Sequence, residues 1–527
     1  MKKILWFIII FTAFTGISQA QKKSLASITA GDFRSYMMFF ASDELAGRET
    51  GTTQNNAAAL YLKTNAMRIG LKPAPGAPDY FQPIPMVAAK PDKKNTFLRI
   101  TGAGGETLFT TDSILYIAPP SADQGEELTT KLVFGGYGVL NKEKSYNDFG
   151  DLDLKGKILL IMTGSPDGMS TGTGVGSFDE NTESQKIMAA IIRGAKGILF
   201  VYNPSSGYKD AYSSGIAEML PSESVTIKGK QVMSLPIHLA FITRHAADLI
   251  LKPTGSNLAQ MQAKINSTGK PVSLEVPEIS VTLKALINKT EFSAPNVIGV
   301  IEGSDPELKK ECVIYTAHFD HTGVGSNGEI NNGADDDASG SIAMLGIADA
   351  FMKLKRKPLR TIVFAWVNGE EKGLLGSEYY TSNPLIPLEK TLVDINMDMV
   401  GRSKMPSDTG KLYGYDLDVS QPGEIYVYSA HESSELTNLM NESAREAGIR
   451  ITDKGKDLKF GSSDHIPFRQ KGVPTLMLHS GIHADLHGPR DDADKVDYDK
   501  MERTARMAFL IGYKVANQKK RIVIDKP

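Results

Sequence analysis

Apolar and polar positions follow three successive textures along the chain. From about Ser27 to Gly70 the runs FRSYMMFF and AAALYLKTNAMRIGL keep helical spacing on either side of the polar loop SDELAGRETGTTQNN, which predicts two helices at the entry to an α/β domain. From about Asp112 to Glu275 the runs shorten to KLVFGGYGV, GKILLIMTG, KGILFVYN and LPIHLAFI, cut by Gly, Asp, Ser and Pro clusters. That texture predicts a small β-rich unit with one or two helices, SQKIMAAIIRGA among them. After Val281 a longer rhythm of strand, loop and helix returns and runs to about Asn517. Within it SGSIAMLGIADAFMKL places Ile342, Leu345, Ala348 and Met352 on one helical face. The last residues, KKRIVIDKP, read as a terminal strand or a loose tail.

A chain of 527 residues is too long for one ordinary core and predicts two or three domains. Residues 21–111 and 281–527 read as two parts of one α/β domain, and residues 112–280 as an insertion between them. Residues 1–20 read differently: Lys2 and Lys3 precede the apolar run ILWFIIIFTAF, and Ser18-Gln19-Ala20 offers a small-x-small cleavage site. This is the pattern of a secretory leader, with the mature chain starting near Gln21 and exported to a periplasmic or extracellular location. No later stretch approaches the roughly 20 apolar residues of a spanning helix, so no membrane insertion is expected after cleavage. Cys312 is the only cysteine, which excludes an intramolecular disulfide, and its place in CVIYTA marks it as a buried small hydrophobe. The net charge of −2 becomes −4 without the leader and its two lysines, which argues against nucleic-acid binding.

Candidate chemistry gathers in the last region. CVIYTA runs into His318, TIVFAWV into a loop holding Glu370 and Glu371, and TLVDINM into Asp398. In an open, mostly parallel sheet the carboxyl ends of strands form the crevice where ligands bind. Asp336, in NNGADDDASG, precedes a helix, and His487 lies in DLHGPRDD. Two imidazoles and three carboxylates without a thiol suit a pair of catalytic zinc ions, which can polarise a scissile carbonyl and stabilise the developing oxyanion. Glu370 is then free to take the proton from the attacking water and pass it to the leaving amine. Asp320, two residues after His318, is placed to accept the other N–H of that imidazole. Singly, each motif also fits a plain structural reading as a helix cap, charged loop or hydrogen-bonded His; all five in order weigh against it. Calcium is disfavoured because imidazole is a poor ligand for it.

At these residues the chain resembles the co-catalytic zinc exopeptidases that include bacterial leucyl aminopeptidases and, more distantly, glutamate carboxypeptidase. The matching segments are SDELAGRETGT, APNVIGVIEGSDPE, AHFDH, GADDDASG, NGEEKGLLGS, NMDMVG, SSDHIPF and HGPRDDADKVDY. The resemblance implies the zinc exopeptidase fold: α/β, with a mixed, mostly parallel central sheet flanked by helices. It implies peptide substrates and two zinc ions, one on His318 and Asp398, the other on Glu371 and His487, with Asp336 between them. It also implies Glu370 as general base and acid, and Asp320 as support for His318. Residues 112–280 resemble a protease-associated domain through FGGYGV, YNDFGDLDLKGKILLIMTG and RGAKGILFV, and His238 and His245 inside it are not expected to be ligands.

The chain departs from the family pattern at Leu486, where many relatives carry a tyrosine before the last ligand. His479 and His483 stand close to His487 in sequence and compete with it for that assignment. Ser462, Asp464 and His465 are placed along the cleft or in a structural turn. The leading expectation is an exported aminopeptidase. The alternatives are a carboxypeptidase or dipeptidase, which needs a basic cluster such as Arg402 or Arg490 at the leaving residue; a one-zinc glutaminyl cyclase; and a binding ectodomain without chemistry.

Overall fold

A computed structural model describes residues 19–526 except 78, 112, 119–124, 126, 151, 168, 170–179, 212, 215–222, 231–234, 326, 413–414 and 456–461. The leader expected at residues 1–20 lies outside the described residues but for its last two positions. Two compact units result: Met1–Met86 together with Phe292–Pro527, and Val87–Glu291.

The first unit is built on β1 (Ile287–Ile301), β2 (Cys312–His318), β3 (Thr361–Val367), β4 (Thr391–Met397), β5 (Glu424–Tyr428), β6 (Arg450–Gly455) and β7 (Thr475–His479). They lie in the order β1-β3-β2-β4-β7-β5-β6. β3, β2, β4 and β7 run parallel, whereas β1 pairs antiparallel with β3 and β5 antiparallel with β7. Every residue of β2, β3, β4 and β7 is buried. Strands covered on both faces need continuous apolar, β-branched runs, which is why CVIYTAH and TIVFAWV carry no alternation. Cys312 is among these buried residues, and burial pushes its thiol up to about 12, leaving it inert.

The sheet is flanked by α1 (Ala30–Phe40), α2 (Thr53–Ile69), α3 (Gly340–Met352), α4 (Ser434–Ala447) and α5 (Tyr498–Asn517). Side-chain oxygens of Thr29, Thr52, Ser433 and Asp497 cap the N-termini of α1, α2, α4 and α5. The one-faced burial expected for α3 is not what forms: Gly340 to Ala348, Ala350 and Phe351 are all buried, while Met352 is only partly so. The helix sits between the sheet and α1, α2 and α5, so it is apolar all round. Gly346 makes the closest approach possible, since a Cβ there would stand 2.5 Å from the Phe33 ring of α1. The C-terminal tail forms no strand; Asp525 and Lys526 donate backbone N–H groups to the Glu432 carbonyl.

The Val87–Glu291 unit holds a sheet in the order Ser273–Glu275, Leu132–Gly135, Ile158–Met162, Gly197–Val201, His238–Ile242, Ile114–Ala118. Its inner four strands are parallel. A second sheet pairs Phe97–Gly102 with Gly105–Phe109 and with Ile279–Lys284. That pairing carries the unit beyond the 112–280 read from texture, because its early strands close on its last one. Among the described residues no helix is long and apolar enough to cross a membrane.

Asp148 anchors the FGGYGV turn of this unit, accepting the Tyr137 and Val139 N–H groups and the Tyr146 hydroxyl at 3.1, 3.0 and 2.9 Å. Burial pushes its carboxyl up to about 6 against these bonds. The folded unit therefore holds this proton more tightly than the unfolded chain, so stability falls as pH rises from about 3.8 to about 6 and is then flat. The span corresponds to roughly 2–3 kcal/mol. Urea midpoints measured across it should flatten in Asp148→Asn; a variant as pH-sensitive as the parent would remove this assignment.

Candidate metal centre

Because β2, β3 and β4 are parallel and adjacent, their carboxyl ends share one edge of the sheet. His318 is the last residue of β2, Asp398 follows β4, and Glu370 and Glu371 lie just beyond β3. Asp336 enters from the loop before α3 and His487 from the loop before α5. Asp336 Oδ1 is 3.3 Å from His318 Nε2, which is 3.6 Å from Asp398 Oδ1. The other oxygen, Asp336 Oδ2, is 3.1 Å from His487 Nε2, which is 3.2 Å from Glu371 Oε2. Two donor groups thus meet at the two oxygens of one carboxylate.

The structure turns His487, of the three neighbouring histidines, toward this point. His479 Nδ1 accepts the Gly481 N–H at 2.7 Å. His483 Nδ1 accepts the Asp485 N–H at 3.2 Å, and its Nε2 faces Asp335 at 3.5 Å. Ser462 is exposed, while Asp464 and His465 are buried, with Asp464 taking the Ser377 hydroxyl.

Asp320 works otherwise than its sequence position suggests. His318 Nδ1 faces the Asp320 backbone carbonyl at 3.1 Å, and the carboxylate stands 3.9 Å away. That carboxylate instead accepts the N–H groups of Gly369, Glu370 and Glu371 at 2.7, 3.2 and 3.3 Å, and the Thr50 hydroxyl at 2.9 Å. The tight exit from β3 leaves these N–H groups pointing at β2, so the side chain orders the loop of the two glutamates while its own carbonyl orders the imidazole.

Charges in the cluster oppose one another strongly. Burial alone would lower His318, yet the Glu370, Asp336 and Asp398 carboxylates hold it well above its ordinary range. Burial likewise acts against His487, which Glu371 and Asp336 raise to about 10. Burial would raise Asp336, but His321, His318 and His487 hold it well below the usual carboxylate range. Glu370 goes the other way: burial pushes it well up, and the Glu371, Asp398 and Asp464 charges add to this against the pull of His318.

The donor set fits divalent zinc. His318, Asp336 and Asp398 each offer an atom within 4.8 Å of the others, as do His321, Asp336 and Glu371. Imidazole nitrogen and carboxylate oxygen are zinc's ordinary hard-to-borderline partners, and Glu371 Oε1 is buried without a hydrogen bond. A cation would supply what that oxygen lacks.

Residues 296–511 match the model of Peptidase family M28. Over those residues the chain is similar to that family. It is 25% identical over 421 residues to aminopeptidase YwaD of Bacillus subtilis, covering 78% of this chain and 72% of that protein. Leupeptin-inactivating enzyme 1 of Streptomyces exfoliatus is 26% identical over 276 residues, 51% of this chain and 55% of that one. The fold is shared with an aminopeptidase from Aneurinibacillus sp. strain AM-1, with a TM-score of 0.56 and 19% identity over 96% of this chain and 98% of the other. It is shared too with BSAP, a zinc aminopeptidase from Bacillus subtilis, with a TM-score of 0.51 and 19% identity over 95% and 99% of the two chains. Its likeness to these peptidases supports a metallopeptidase-type hydrolase.

Several supports of this site are not evident from the sequence. Arg48, from the SDELAGRETGT segment, is buried and donates to the carbonyls of Phe319, Phe40, Asn332 and Gly333 at 2.8, 2.8, 2.7 and 2.9 Å. Its one side chain ties α1 to the loops leading to Asp320 and Asp336. Asp491 accepts the N–H groups of Asp335 and Asp336 at 3.0 and 3.1 Å, fixing the backbone from which Asp336 projects. His321 is fully buried against Glu371 and Asp336. Its signal in the sequence is the second histidine of AHFDH, three residues past a strand-end ligand.

Proposed function

We propose that this chain is an exported zinc aminopeptidase that hydrolyses the first peptide bond of peptides with a free N-terminus. The observation that carries the reading is the division of Asp336, whose two oxygens face two separate imidazole–carboxylate groups. His318 and Asp398 would hold one zinc ion, Glu371 and His487 the other, with Asp336 shared. When bound, the ions supply the Lewis acidity that polarises the scissile carbonyl.

The rest falls to the chain. Glu370, with its raised proton affinity, takes the proton of the attacking water and later gives it to the leaving amine. Asp320 keeps that base in place through the N–H groups of residues 369–371. A carboxypeptidase would need a free cation for the terminal carboxylate. Arg402 is instead engaged by Asp485 and Asp491 at 2.8 and 3.4 Å, and Arg490 by Asp485 at 2.8 Å. The acid-rich surroundings suit an α-ammonium better. A complete donor set with its base weighs against a one-zinc cyclase and against a binding ectodomain. Similarity to aminopeptidase YwaD supports the same end preference. Residues 1–20 are the proposed leader, and residues 112–280 the proposed protease-associated insertion.

Paired peptides test this. A free-amine peptide and its N-acetylated twin should differ by at least roughly 100-fold in kcat/KM, since blocking removes both the charge and the fit of the ammonium. Equal cleavage of the pair would end the aminopeptidase reading.

A further inference from the structure

We propose that His321 is a further ligand at the cation position formed by Glu371, His487 and Asp336, an inference that rests on the two-cation reading above. His321 is fully buried, and neither of its ring nitrogens makes a hydrogen bond. A buried imidazole in that state is costly unless something else engages it. Its Nδ1 stands 2.8 Å from Glu371 Oε1 and 3.6 Å from Asp336 Oδ2. The shorter approach is not aligned as a hydrogen bond, and Glu371 Oε1 has no other hydrogen-bond partner either. Two buried atoms thus lie close without a hydrogen bond between them, as two ligands of one ion would. Donors about 2.0–2.1 Å from a common zinc stand roughly 2.9–3.4 Å apart, and the two observed separations bracket that range.

The ring is also held where it is. A Cβ at Gly333 would meet His321 Cγ and Cδ2 at 2.5 Å, so the glycine of NNGADDD leaves room for the imidazole where it stands. From the other side the His487 ring stands 5.6 Å away, centroid to centroid, at 67°. His321 thus enters from the buried side and His487, 36% exposed, from the open side. With His321 the position has two imidazoles and two carboxylates, whereas the His318 position has one imidazole and two carboxylates. The two sites should differ in affinity, with the His321 side the tighter.

The test uses zinc and cobalt(II) on the full-length apoprotein. The parent should take about two zinc ions per chain, and His321→Ala should keep one at parental affinity while the other weakens by at least roughly 100-fold. Cobalt at the weakened position should show altered visible d–d absorption, because a ligand nitrogen is lost. His321→Gln, which preserves volume and can still hydrogen-bond Glu371, should behave like the alanine variant and covers the case in which the latter fails to fold. Unchanged zinc affinity in either folded variant overturns the proposal. So does weakened affinity with an unchanged cobalt spectrum, which would make His321 a positioning residue for Glu371. A parent that binds a single zinc would instead refute the two-cation reading itself.

Discussion

Glu370→Gln is expected to lower turnover by roughly 100- to 10,000-fold, the range that a positioned acid–base group supplies. Zinc content should stay at the parental value. The glutamine keeps the shape and the backbone N–H that Asp320 accepts at 3.2 Å, but it cannot take a proton. Glu370 belongs to neither group of donors gathered around Asp336, so the proposed metal positions lose no ligand. Because the group acts in the chemical step, kcat should carry the loss and KM should move little. A variant with near-parental kcat would remove Glu370 from its role.

Arg48→Met should strongly destabilise the first unit. The apolar stem is replaced at similar volume, while the carbonyls of Phe40, Phe319, Asn332 and Gly333 lose their donor together. Each buried acceptor left unsatisfied costs about 1–3 kcal/mol, and with water entering the space a total of roughly 3–5 kcal/mol is expected. Burial lowers the guanidinium to about 10 while the nearby Asp336, Asp320, Asp337 and Asp491 charges sustain it, so it remains charged at neutral pH. Arg48→Lys keeps that charge but cannot span the loops with a planar fork, and should recover only part of the loss. Urea denaturation at neutral pH measures both. A methionine variant within about 1 kcal/mol of the parent would show that the four bonds are dispensable.

The central strands were legible because burial on both faces demands uninterrupted apolar runs, and their ends located His318, Glu370, Glu371 and Asp398 together. Asp336 was legible from its place before a helix. What escaped depends on partners far away in sequence. SDELAGRETGT reads as a polar loop, yet Arg48 is buried, since its partners come from residues 319, 332 and 333. The strand Phe97–Gly102 joins the second unit only through pairing with Ile279–Lys284, which no local pattern announces. Spacing suggested that the Asp320 side chain would meet His318. The chain bends so that the carbonyl does, freeing the carboxylate for three N–H groups. The single face expected of α3 failed for a related reason: amphipathic spacing cannot reveal that a helix is covered on all sides.

The central claim is that two zinc ions share Asp336. Anomalous diffraction at the zinc edge from crystals of the zinc-loaded protein tests it most directly. Two peaks roughly 3.5–4 Å apart are predicted, one beside His318 and Asp398 and the other beside Glu371 and His487, with Asp336 between them. A single peak, or two peaks without Asp336 between them, would contradict the account.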